Sequence, residues 1–387
     1  MIDFISLRLM KVSQSCFHNT FSADEKRFYL LKSSIQKLII LCLMVLFFQC
    51  KNRNAVNLVM EEPYPERLSE WNLFVGKLAD LKPNKGVIPY ELNMPLFTDY
   101  ASKSRFIWMP EGKSAIYNEG GTLIFPTGTI ISKTFFYPGD TIGYPETKNK
   151  LIETRLLIRT ESGWTALPYI WDKDLQDAKL EIAGGKQDIT YQDQTGNKHE
   201  LHYVIPNTNQ CKGCHENEKQ LQPIGPKARN LNRLFAYEEG EKNQLLKLKE
   251  IGYLSGLPDL KEISSLADFH SNENGTLSEF ARGYLDVNCA HCHNPNGPAN
   301  TSGLMLNYAE TNRTKLGFCK APVASGKGSG NLRFDIVPGK PNESILYHRM
   351  NSDVPDIMMP ELGRSIIHKE GVELIRKWIE SEKGNCI

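Results

Sequence analysis

Two copies of one five-residue string, CKGCH at 211–215 and CAHCH at 289–293, constrain this 387-residue chain more than any other feature. With nine Cys and nine His in the sequence, a chance copy of Cys-x-x-Cys-His is expected only about 0.005 times. The pattern is that of c-type haem attachment: two thiols bond to the porphyrin edge, and the adjoining His ligates iron from one face. The cofactor expectation is therefore two covalently bound haem c groups, held by Cys211 and Cys214 and by Cys289 and Cys292, with His215 and His293 on the irons. Two rivals use the same thiols. A zinc site built from two Cys-x-x-Cys pairs needs four ligands but no His after each pair, and a redox dithiol does not need that His either.

Haem attachment of this kind takes place outside the cytoplasm, so an export signal is expected. Lys32 and Lys37 precede an apolar run from Leu38 to Phe48, too short for the ~20 residues of a bilayer span but suited to a signal peptide. Cys50 follows almost at once, which suggests a lipoprotein cleaved before Cys50 and acylated on it. Phe47, Phe48 and Gln49 stand where small residues usually precede such a cut, so an ordinary cleaved signal and an uncleaved anchor stay open. The expected location is the periplasm or the outer face of a bacterial membrane. Six of the 46 Lys/Arg and three of the 45 Asp/Glu precede residue 50, so the remainder is near neutral and nucleic acid is not an expected partner. Cys319 and Cys386 are left over, and in an oxidising compartment they are expected to pair.

The pattern predicts an α+β multidomain chain. A leader occupies 1–49, a linker with a short helical segment 50–85, and a β-rich sandwich or barrel-like domain 86–206. A first haem segment with a helix covers 207–274, and an all-α, class I-like cytochrome c domain 275–387. In LIETRLLIRT, residues 151–160, Ile152, Leu156 and Ile158 alternate with Glu153, Arg155 and Arg159, as in a half-buried strand. The strings QDITYQ and HELHYVIP read as further strands set off by glycine turns. Leu231, Leu234, Phe235, Leu245, Leu248 and Ile251 suggest a helix over 227–251, interrupted near Gly240. Leu277, Phe280, Ala281, Tyr284 and Leu285 form a helical stripe leading into Cys289, and Val372, Ile375, Trp378 and Ile379 form another.

A sixth ligand decides what a haem can do: a saturated iron passes electrons, an open one binds small molecules. Met359, in DIMMPELGR before the last helix, is the expected sixth ligand of the second haem, ahead of Met358 and Met305. The first haem has no comparable candidate; His199, His202, His270, Met94 and Met109 are each more readily structural. His291, inside the second string, is expected to face solvent.

The segments NMPLFTDYASKSRFIWMPEG, FPTGTIISKTFFYP, IETRLLIRT, NQCKGCH, PIGPKARNLNR, YLDVNCAHCHNPNGPANTSGL, LGFCKAPVASGKGSG and MMPELGRS run from about residue 85 to the last helix. Taken together, they make the chain resemble an uncharacterised family of exported bacterial di-haem c-type cytochromes. The resemblance implies haem c binding and electron transfer with redox partner proteins, and supplies no substrate. The alternative is an oxidoreductase or peroxidase-like enzyme acting at an open first haem.

Overall fold

The architecture starts from one antiparallel sheet whose strands are rich in β-branched and aromatic residues. In the computed structural model, which describes residues 55–138, 149–192, 197–269, 275–323 and 325–387, the strands are β1 (Ile88–Pro89), β2 (Ser102–Trp108), β3 (Ala115–Ile116), β4 (Ile130–Tyr137), β5 (Lys150–Thr160), β6 (Gly163–Trp171) and β7 (Ala178–Leu180). All but β3 join a six-stranded sheet in the order β1-β2-β4-β5-β6-β7. The strand β3 pairs instead with Leu254–Ser255. A separate hairpin follows, β8 (Gly185–Gln192) with β9 (Lys198–Ile205). The leader and Cys50 lie outside the described residues, as does His270. Among the described residues no helix is long and apolar enough to cross a membrane.

Both faces of the sheet are covered. On one face Leu156, Ile158, Leu167, Tyr169 and Trp171 pack against Leu68 and Trp71 of the preceding segment, where Trp71 Nε1 donates to Tyr169 Oη at 2.7 Å. On the other, Ile107, Ile131 and Leu157 meet Leu231, Leu245 and Leu248. Each fully buried Leu or Ile contributes about 1.5–3 kcal/mol. The strand at 151–160 is therefore present, but it is not half-exposed: Glu153 on its second face is completely buried.

The helices are α1 (Thr208–His215), α2 (Ala228–Leu231), α3 (Gln244–Glu250), α4 (Leu277–Asn288), α5 (Ile345–Met350) and α6 (Lys369–Ser381). The helix expected over 227–251 is replaced by α2, a hairpin pairing Leu234–Tyr237 with Gly240–Asn243, and α3. Gly240 turns that hairpin at φ +126°, and Asn243 caps α3 by accepting from the Leu245 amide at 3.0 Å. The two stripes around the second Cys-x-x-Cys-His string do form α4 and α6. Thr276 and Glu279 cap α4 reciprocally. The helices approach so closely that a Cβ on Gly371 would lie 2.4 Å from Tyr284 Oη.

The expectation of a separate all-α cytochrome c domain is overturned. Val56–Ile387 is one compact, β-rich unit, and the α4–α6 core is completed by Met94, Leu96 and Leu266 from earlier in the chain. The Pro-rich entrance is the seam. Asn93 and Met94 bond to Asn230, the Phe97 amide donates to Asn288 Oδ1 at 2.8 Å, and Asp99 Oδ1 accepts from the amides of Ser365 and Ile366. The stripe on α4 is filled by residues that periodicity within 275–387 could not supply. Cys319 and Cys386 are joined as a disulfide.

Candidate functional site

The first Cys-x-x-Cys-His string sits on α1, which starts two residues after β9. Asn207 sets the start: its Oδ1 accepts from the Gln210 amide at 2.8 Å, and Gln210 Oε1 accepts from the Asn207 amide at 3.0 Å. This reciprocal cap fixes the helix entry. At the other end His215 is clamped by one residue. Its carbonyl accepts from the Gln222 amide at 2.7 Å, and its Nδ1 donates to the Gln222 carbonyl at 2.7 Å.

The second string continues α4 as a tight turn. The amides of Cys292 and His293 both donate to the Cys289 carbonyl. A Cβ on Gly297 would lie 2.4 Å from the Cys292 carbonyl oxygen, so this return of the chain tolerates only glycine. His293 Nδ1 lies 3.0 Å from Ser302 Oγ, whose own proton goes to the Ala299 carbonyl at 2.7 Å. With that proton committed, Ser302 Oγ accepts, and His293 carries its hydrogen on Nδ1. Both histidines thus keep Nε2 as the lone-pair nitrogen, the arrangement that outer partners impose on metal-ligating imidazoles.

The fold brings the two strings together. Cys292 Sγ lies 3.7 Å from the Gly213 carbonyl, and Asn296 Nδ2 donates to Glu218 Oε1 at 2.8 Å. Cys211, Cys214, His215, Cys289, Cys292, His293 and Met359 all line one cavity of about 550 Å³. That volume lies within the range of a large organic ligand. Met359 is held by its amide to the Arg349 carbonyl at 3.0 Å and by its carbonyl to Arg364 at 2.8 Å. Met358 is buried and, like Met305, lies off the cavity wall.

His291 corrects its expectation. It lines the cavity rather than facing solvent, with Nδ1 3.3 Å from the Val287 carbonyl, and burial lowers it to about 4. Met94 and Met109 are buried in the apolar cores. His202 is exposed beside Asp188, and His199 stacks on Tyr191. None of these four lines the cavity.

Electrostatics discriminates among the uses of the thiols. Burial raises Cys211 and Cys214, and takes Cys289 and Cys292 up to about 12. A redox dithiol needs a thiol pulled down, not up. Among the described residues no three His, Cys, Asp or Glu side chains converge as a metal cage. The two imidazoles are held neutral, His215 at about 3 and His293 at about 4, chiefly by burial.

One part of the site was not visible in the sequence. Arg105, Lys133 and Arg155 are direct cross-strand neighbours on β2, β4 and β5, and Lys103 stands on the same face, opposite Phe135. Three like charges on one rung oppose pairing. Glu153 is engaged by its neighbours, taking two bonds from Arg155 at 2.7 and 2.5 Å and one from Tyr203 Oη at 2.8 Å. Arg105 reaches Glu91 at 3.0 Å. Lys133 has no carboxylate within ion-pair reach among the described residues; its ammonium lies 4.9 Å from the Phe135 ring centroid. Burial, followed by the Arg155 and Arg105 charges, lowers it to about 7. A cation–π contact is worth about 0.5–2 kcal/mol, less than the several kcal/mol needed to bury an ion. The signal lies in strand register, which alternation within one strand does not reveal.

Comparisons with family models, with curated proteins and with solved structures return no match for this chain.

Proposed function

We propose that this chain is an exported di-haem c-type cytochrome that passes electrons one at a time between redox partner proteins. Cys211 and Cys214 would hold one haem and Cys289 and Cys292 the other, with His215 and His293 as iron ligands and Met359 as the sixth ligand of the second. One observation carries the reading: both strings present two thiols and an imidazole with a committed Nδ1–H to the same cavity. When bound, a haem c supplies a one-electron iron centre whose potential depends on axial ligand, burial and nearby charge. The chain's own contribution is to hold each imidazole in the tautomer that offers Nε2, to keep both neutral, and to set Met359 on the cavity wall. Acylation at Cys50 and a place in the periplasm or on the outer membrane face belong to the same proposal, as does the likeness to the di-haem family.

The test is the haem content of protein exported from a host that matures c-type cytochromes. Pyridine haemochrome spectra and intact mass should give two haems per chain, and replacing Met359 with Ala should abolish the thioether-to-iron charge-transfer band. Absence of attached haem sinks the proposal. The enzymatic alternative draws on the four expected ligand candidates that lie away from the cavity. A high-spin component that binds cyanide or carbon monoxide would favour it, and two low-spin haems would exclude it.

A further inference from the structure

The cation rung on the sheet carries a second conclusion. Arg105, Lys133 and Arg155 line a smaller cavity of about 60 Å³ together with Lys103, Cys211 and His215. Lys133, Arg155, Cys211 and His215 also line the large one, so the two spaces adjoin beside the first string. Among the described residues the nearby carboxylates are Glu153, engaged by Arg155 and Tyr203 through three hydrogen bonds, and Glu91 at the rim, paired with Arg105. Lys103 Nζ is taken up by the Ala101 carbonyl at 2.8 Å, which leaves Lys133 as the cation without a hydrogen-bonding partner among the described residues. A surplus of positive charge, half-buried at Lys103, Lys133 and Arg155 and buried at Arg105, that the carboxylates among the described residues do not balance is a local conflict of the kind proteins keep at binding sites.

We infer that Lys133, backed by Arg155, Arg105 and Lys103, forms an anion site beside His215 that takes one compact oxyanion of the carboxylate type. Two sources offer that chemistry: a propionate of the haem attached at Cys211 and Cys214, which rests on the function proposed above, or a small free anion from solution. A carboxylate or similarly small oxyanion suits the geometry because Lys133 and Arg155 are direct neighbours across the β4–β5 ladder: the ammonium is a point donor, and the guanidinium, whose Nε and Nη2 are held by Glu153, has Nη1 left to donate.

The exported protein as purified, wild type beside Lys133→Gln and Lys133→Arg, decides between them. Sodium nitrite and sodium acetate are titrated at low ionic strength by calorimetry, and the midpoint potentials of both haems are followed spectroelectrochemically. If the anion is free, the wild type binds one probe saturably, Lys133→Gln weakens it at least about tenfold and Lys133→Arg retains it. If the anion is a propionate, neither probe binds, and Lys133→Gln lowers the potential of one haem while Lys133→Arg leaves it in place. Absent probe binding together with unchanged potentials in Lys133→Gln overturns the inference. Circular dichroism of each variant separates these results from misfolding. Calorimetry needs no haem, so a chain found without haem would defeat the proposed function and leave the free-anion arm readable.

Discussion

The two Cys-x-x-Cys-His strings share a cavity but not an electrostatic setting. Around the second, two cations have carboxylate partners, Lys320 at 3.0 Å from Asp335 and Arg349 at 3.6 Å from Glu361, and the buried Arg364 is hydrogen-bonded by the carbonyls of Ser352, Met359 and Ile366. Around the first, three cations cross the sheet on one rung and Lys133 lacks a counter-charge among the described residues. The same pentapeptide has been set once in a balanced helical core and once against a positive wall. Attachment chemistry is therefore local to the string, whereas the tuning of whatever is attached belongs to the surroundings.

The contrast can be broken most directly at the thiols. On the function proposed above, replacing Cys211 and Cys214 with Ala should remove one of two haems per chain, and replacing Cys289 and Cys292 the other, as read by haemochrome against protein concentration; equal loss of both from either change would show that the settings are not independent. Next in size, Glu153→Ala should destabilise by about 3 kcal/mol in denaturant unfolding, because it strips the half-buried Arg155 and the buried Tyr203 hydroxyl of their partner. Cys386→Ser opens the 67-residue span to Cys319 and should cost about 2–4 kcal/mol in the same assay.

On the second side, pH should act through His368. Its ring stacks on Phe97, its Nδ1 lies 3.0 Å from Tyr284 Oη, and burial lowers it to about 4. The unfolded chain binds that proton first, so stability is full above about 6.5 and is lost as pH falls toward 4, by on the order of 2 kcal/mol. His368→Asn should remove that share of the slope in unfolding curves taken between pH 7 and 4, leaving the comparable share of His291, which burial also lowers to about 4. The smallest effect is expected at Lys133. Lys133→Met removes a half-buried charge without a carboxylate partner among the described residues and should leave stability within about 1 kcal/mol of wild type or raise it; a loss comparable to that of Glu153→Ala would show that the lysine is a structural partner after all.

The sequence made the strings legible because their chemistry is local, and it made α4 and α6 legible because Leu277 to Leu285 and Val372 to Ile379 keep strict helical spacing. Its failures share a cause. The stripe on α4 was taken as evidence of a self-contained domain, yet it buries against Met94 and Leu266, and periodicity does not name the partner. Arg155 was placed on a wet face because alternation distinguishes two faces without saying whether the second is covered. Over 227–251 the apolar spacing fits a helix, but the backbone turns at Gly240 and pairs Leu234 with Asn243. His291 was expected outward from its place inside the string, and only the approach of the two strings encloses it.

The seam formed by the Pro-rich entrance also sets an order of events. Its bond to Asn288 spans 191 residues and its bond to Ser365 spans 266, and contacts so distant in the chain close late because their loop entropy must be overcome first. The capped turns that carry Cys211 and Cys289 need only neighbours a few residues away. An eight-residue helix such as α1 is marginal by itself, so until the distant contacts close all four thiols stand open on unwalled chain. The walls around them arrive with the last and longest contacts, which leaves a time window for chemistry on the sulfurs that the finished molecule no longer offers.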